Sequence, residues 1–109
     1  MARAIVEVLE ERKGEDILLL DIRDQAVFAD FFVICSGTSE RMLKALLDAV
    51  DEKITALFKR HARLEGHPQG GWVLADYGDV IVHIFSPDRR NYYRLEELWS
   101  KSKVLLHVL

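Results

Sequence analysis

The segment Trp72–Phe85, WVLADYGDVIVHIF, leaves this chain few ways to fold. Two runs of β-branched, aliphatic and aromatic residues flank Gly78-Asp79, which predicts two strands around a tight turn. With glycine first, that dipeptide suits a two-residue type II′ turn. The turn pairs Tyr77 with Val80, Leu74 with His83 and Trp72 with Phe85. Sliding it back by one residue would set Asp76 opposite Asp79, and like charges directly opposed are unfavourable. In the favoured register one face carries Val73, Ala75, Val80, Val82 and Ile84, compact residues that suit packing beneath helices. The other face carries Trp72, Leu74, Asp76, Ile81, His83 and Phe85, which are larger and mixed in polarity. Two readings of that second face stay open. Another layer of this same chain covers it, or a partner does, since exposed aromatic–aliphatic patches mark interaction sites.

The remaining segments supply the rest of a sheet and its helices. Residues 2–12 place Ile5, Val8 and Leu9 on one helical stripe, with Gly14 as a plausible stop. DILLLDI (16–22) and FFVICSG (31–37) read as short buried strands, separated by a polar connection with an apolar plug at Val27 and Phe28. Thr38 or Ser39 caps a helix that runs to about Arg60, with an apolar stripe from Leu43 through Leu46, Leu47, Val50 and Ile54 to Leu57. Residues 61–71 are the one Gly/Pro-rich, loop-like stretch. Strands follow at 71–77 and 80–86. Ser86-Pro87 opens a last helix on which Tyr92, Leu95 and Trp99 recur at helical spacing, and KVLLHVL (103–109) closes the chain as a strand. Strands joined across the 39–60 helix are expected to lie parallel. The expectation is an α/β fold, one domain over residues 1–109, with a mixed sheet of about five strands and three helices.

Half of the 109 residues are apolar, enough for one core without metal or disulfide staples. The single cysteine, Cys35, excludes an internal disulfide and fits a reducing compartment. Lacking an apolar leader and any run of membrane-spanning length, the chain is expected to be cytosolic. Its 15 Lys+Arg against 18 Asp+Glu argue against strong direct binding of nucleic acid through phosphate neutralisation. A basic protein partner would instead be steered toward it.

Signals for chemistry are weak. SGTSERMLKAL sets a glycine and hydroxyls at a strand-to-helix junction, and a helix N-terminus there could hold a phosphate. Nucleotidyltransferases use such a Gly-Ser junction but need carboxylates nearby to hold Mg²⁺. Asp76 and Asp79 are split by a turn, and Asp21 and Asp24 are similarly separated. Of the four histidines, only His61 and His67 are close in sequence, and a lone loop pair is a poor metal site. His83, facing Leu74, reads as a packed histidine rather than a base. Cys35 lies mid-strand and reads as a small buried hydrophobe. Arg89, Arg90, Tyr93 and Arg94 read as a solvated helix face, although Arg and Tyr also anchor interfaces. No cofactor and no metal are expected.

Several motifs occur together and in order: Asp30-Phe31-Phe32-Val33-Ile34, Ser36-Gly37-x-Ser39, Glu65-Gly66, Trp72-x-Leu74-x-Asp76-Tyr77-Gly78-Asp79-x-x-Val82-His83, and Tyr93-x-Leu95-Glu96-x-Leu98-Trp99. Over about residues 16–101 the chain resembles the ribosomal silencing factor family, also called RsfS or Iojap-like. The resemblance implies a nucleotidyltransferase-like core reused for binding rather than catalysis. It implies a non-enzymatic translation repressor that binds large-subunit ribosomal protein fourteen and blocks joining of the small subunit when nutrients are short. Organelle relatives act in ribosome assembly, and members often form homodimers. Carried onto this chain, the implied partner surface is Trp72, Leu74, Asp76, Tyr77 and Asp79, with His83. The alternative is a nucleotidyltransferase-like enzyme or nucleotide-binding protein.

Overall fold

The structure, a computed structural model, describes residues 1–98 and 103–109, apart from the side chains of Glu96 and Leu98. A helix, α1 (Ala2–Glu11), precedes two antiparallel strands, β1 (Glu15–Asp21) and β2 (Phe31–Ser36). A long helix, α2 (Glu40–Phe58), then leads to a meander of β3 (Arg63–His67), β4 (Trp72–Asp76) and β5 (Val80–Phe85). Two short helices, α3 (Pro87–Tyr93) and the single turn α4 (Leu95–Leu98), come before β6 (Lys103–Val108). The sheet order is β3-β4-β5-β2-β1-β6, with β2 and β5 the parallel pair at its centre.

The hairpin register is the expected one. Trp72 pairs with Phe85 and Leu74 with His83, and the Tyr77 N–H donates to the Val80 carbonyl at 2.9 Å. Gly78 has φ +89° while Asp79 has no positive φ, as a type II′ turn requires. Ser39 is the N-cap of α2, its Oγ accepting the Met42 N–H at 3.1 Å.

Three expectations are corrected. The stretch 61–71 is not all loop: residues 63–67 form β3, a sixth strand at the sheet edge, followed by a 3-10 turn over Pro68–Gly70. With β3 inserted, β4 runs antiparallel to β2, and the parallel partner of β2 is β5. The last helix is broken at Arg94, whose φ of +50° ends α3 in the left-handed region before α4 begins. The expected place of Trp99 on it lies outside the described residues.

Two apolar clusters sandwich the sheet. Under α1 and α2 lie Ile17, Leu19, Val33, Cys35, Val73, Ala75, Val82 and Ile84, packed against Ile5, Leu9, Leu43, Leu46, Val50 and Ile54. Each buried Val, Leu or Ile among them contributes roughly 1.5–3 kcal/mol. Leu57, placed on that stripe from its spacing, is 57% exposed in the last turn of α2, beyond Ile54, the last buried residue of the helix. The opposite cluster holds Leu18, Leu20, Ile22, Ala29, Phe32, Ile34, Ile81 and Phe85, with Trp72, Leu74 and Leu95 only partly buried against it.

His83 sits within this second cluster at 5% exposure, its ring 4.7 Å edge-on from Phe32 and 6.0 Å from Phe85. The Trp72 indole N–H donates to its Nδ1 at 3.2 Å, so Nε2 carries the proton of the neutral ring. Burial pushes the imidazole pKa down to about 4, against a weaker upward pull from Asp76. An unfolded histidine titrates near 6.5. Between those two values the unfolded chain binds a proton that the folded chain refuses, so stability falls as pH falls through that window and is unaffected by His83 above it. Urea unfolding of the parent should show a loss of roughly 2–3 kcal/mol between pH 7.5 and 4.5 from this source. A His83→Leu chain should lose less over the same interval. Equal pH slopes in the two chains would remove His83 as the cause.

Candidate interaction surface

On the face away from α1 and α2, strand alternation brings Trp72, Leu74 and Asp76 of β4 beside Arg63, Glu65 and His67 of β3 and Ile81, His83 and Phe85 of β5. An aromatic row crosses it. Trp72 stacks on Phe85 at 4.9 Å and meets Tyr93 at 4.6 Å, while Phe28 lies 6.0 Å from Phe32 at the other end. With its indole bonded to His83, Trp72 is held in one orientation.

Both readings of this face hold in part. The α3 helix and the 22–30 connection cover Phe85, Ile81 and Phe32, which are buried. That connection is pinned to the hairpin turn, because the Asp79 carbonyl accepts the N–H groups of Asp30 at 2.8 Å and Phe31 at 3.1 Å. Between the two covers, Trp72 and Leu74 stay half-buried and open to solvent. Phe28 is 55% exposed on one flank and Tyr92 74% exposed on the other.

The six residues implied as partner-binding divide by position. Trp72, Leu74 and Asp76 share the open face, and Asp79 is exposed at the turn. Tyr77 does not belong with them. It is 4% exposed and packs in the helix-side cluster, where burial, and then the nearby Asp51 carboxylate, raises its phenol pKa. Alternation from Ala75 puts it on that side. His83 is buried too, acting on the surface through Trp72. The acids are also engaged: Asp76 Oδ1 accepts the Gly78 N–H at 2.8 Å and its Oδ2 is 3.5 Å from Arg63, while Asp79 pairs with Arg60 at 3.0 Å. Arg60 further donates to the Tyr77 carbonyl, clamping the turn.

The Gly-Ser junction lies elsewhere. The Gly37 N–H bonds the Phe85 carbonyl at 2.9 Å, at the end of β2 far from Phe31 and Val80, next to which Asp76 and Asp79 sit. Five strand steps separate the two ends, roughly 16 Å, so those carboxylates cannot share an ion with the junction. Among the described residues no group of three or more His, Cys, Asp or Glu could hold a metal. Burial pushes the Cys35 thiol up to about 12, which keeps it protonated at neutral pH.

Beside the junction is a group missed in the sequence. Arg90, expected on a wet helix face, is 6% exposed. It donates to the Asp16 carbonyl at 2.6 Å and to Ser36 Oγ at 2.9 Å, and pairs with the Asp16 carboxylate at 3.4 Å. Asp16 also meets His107. The cluster ties α3, β1, β2 and β6 together and thereby sets where Tyr93 meets Trp72. Its partners are 54 and 74 residues from Arg90, a separation no local pattern reports.

Comparison with known proteins agrees with this architecture. Residues 1–107 match the family described as "Ribosomal silencing factor during starvation". The chain is 39% identical over 95 residues to "Ribosomal silencing factor RsfS" of Halalkalibacterium halodurans, covering 87% of this chain and 81% of that one. A crystal structure of a Chromobacterium violaceum protein superposes with a TM-score of 0.85 at 38% identity, over 90% of this chain and 82% of the other. A mouse protein named "Mitochondrial assembly of ribosomal large subunit protein 1" is 30% identical over 99 residues, 88% of this chain and 43% of its own. The match to the family over nearly the whole length, with the fold to accompany it, means that the chain belongs to the ribosomal silencing factor family.

Proposed function

We propose that this protein binds large-subunit ribosomal protein fourteen through the open strip around Trp72 and Leu74 and so blocks joining of the small subunit, lowering translation when nutrients are short. The observation that carries the reading is the half-buried Trp72–Leu74 strip left between two covers. An apolar centre supplies affinity, while acids at its edge, Glu65, Asp76 and Asp79, steer a basic partner and set register. The name of the mouse relative, which speaks of the ribosomal large subunit, supports that side of the ribosome. Blocking by occupancy needs no cofactor and no bond-making step. The action is non-enzymatic and cytoplasmic, on the ribosome. No described helix is long and apolar enough to cross a membrane.

Trp72→Ala would lose its contacts with Phe85, Tyr93 and His83, and Asp76→Lys would lose the bond that holds the turn, so neither separates binding from folding. Leu74→Glu leaves the turn intact and puts a charge at the centre of the strip. Co-sedimentation with isolated large subunits should show binding at least about thirtyfold weaker than the parent, the size of a lost anchor. A thermal melt checks that the variant is folded. A folded Leu74→Glu chain that binds like the parent places the contact elsewhere, and a parent that ignores large subunits defeats the reading.

A homodimer is part of the same proposal, supported by the apolar residues Val104 and Leu105 exposed on β6, with Leu109 beyond it. Light scattering should give a mass that rises from one chain to two with concentration. A constant monomer mass would contradict it.

A further inference from the structure

We infer that the groove between β3 and β4 is a receptor for one arginine side chain of the partner, and that Arg63 of this chain is its internal competitor; the partner itself rests on the reading above. The groove, about 250 Å³, is lined by Glu65, Gly66, Trp72 and Leu74. Its lining is almost wholly apolar apart from Glu65. An indole face and a leucine on the walls suit the aliphatic stem and flat guanidinium of arginine, which stacks on aromatic rings while bonding a carboxylate at their edge. Lysine, a compact and strongly hydrated charge, gains less from such walls.

The rim already attracts a guanidinium. Arg63 lies 3.7 Å from the Glu65 carboxylate and 3.5 Å from that of Asp76. Its side chain is 75% exposed, Glu65 is 55% exposed and Asp76 23%. Pairs this open and this long are weak and easily exchanged. Asp76 keeps its second oxygen on the Gly78 N–H at 2.8 Å, so that acid stays in place when Arg63 leaves. An incoming arginine therefore meets Asp76 already set at the rim and takes the place of Arg63 at Glu65. Trp72 is equally set, by its bond to His83.

The competitor role makes a prediction of unusual sign: removing a positive charge from the rim strengthens binding of a basic partner. Arg63→Ala should raise affinity for isolated large subunits about threefold to fivefold, and Glu65→Gln should lower it by about fivefold, the size of single exposed charge pairs. The Glu65→Gln chain should also show a flatter salt dependence. Large-subunit binding that is unchanged by both substitutions, or weakened by Arg63→Ala, overturns the groove while leaving the Leu74→Glu result to judge the wider surface. If the parent does not bind large subunits at all, the groove is tested alone. In a Trp99→Phe chain, which leaves Trp72 as the single tryptophan, N-acetyl-arginine amide should change the fluorescence saturably, more strongly with Arg63→Ala and not with Glu65→Gln. An equal response to N-acetyl-citrulline amide, which has the shape without the charge, or no response at all, overturns it.

Discussion

The two-residue turn at Gly78-Asp79 is the constraint on which the rest of this structure depends. With side chains alternating at period two, the register it sets decides which half of β4 and β5 lies under the helices and which half faces away. With β5 held by its pairing to β2, a slip of β4 by one residue would turn Val73 and Ala75 to the outer face and Trp72 and Leu74 beneath α2. The turn is correspondingly well held. Asp76 caps the Gly78 N–H, Arg60 clamps Asp79 and the Tyr77 carbonyl, and the Asp79 carbonyl anchors the 22–30 connection. One turn thus fixes the hairpin and also the cover on one flank of the surface it creates.

The second face is finished from the other flank by a different device. Arg90, buried against Asp16 and Ser36, locks α3 onto the strand ends, which brings Tyr93 over Trp72. Arg90 is buried while Asp16 is 47% exposed, so losing the Asp16 carboxylate would leave the guanidinium in the interior without its counter-charge. His83 then holds the Trp72 indole from below. The open strip is a site of rigid parts: an aromatic whose ring is tied, a leucine on a central hairpin, and acids fixed by the turn. Rigid anchors lose less freedom on binding, which favours affinity from a small area.

Much of this was legible in the sequence because it is local. Apolar alternation, Gly78 before Asp79 and the Ser39 and Ser86 caps each report on residues within a few positions of themselves. The elements that escaped depend on distant partners or on weak patterns. The β3 strand, RLEGH, is exposed along its whole length, so it has no apolar alternation to betray it, and Gly66 reads as a loop residue. Its φ of +87° and the close approach of the Trp72 carbonyl explain the glycine without a loop. Missing β3 also hid half of the groove, since Glu65 and Gly66 come from it. Tyr77 belongs to the segment that the family resemblance implies as partner-binding, but alternation along β4 turns it toward the helices. Arg90 looks like any basic residue on a short helix until Asp16 is brought beside it.

Hydroxyl-radical footprinting of the chain, free and bound to isolated large subunits, tests the central claim most directly, because it reads exposed side chains without substituting any. If the strip between the two covers is the contact, oxidation of Trp72 and Leu74 falls on binding, while Leu57 and Phe58, exposed at the far end of α2, react as before. Protection of Leu57 and Phe58 with Trp72 and Leu74 unchanged would contradict the account.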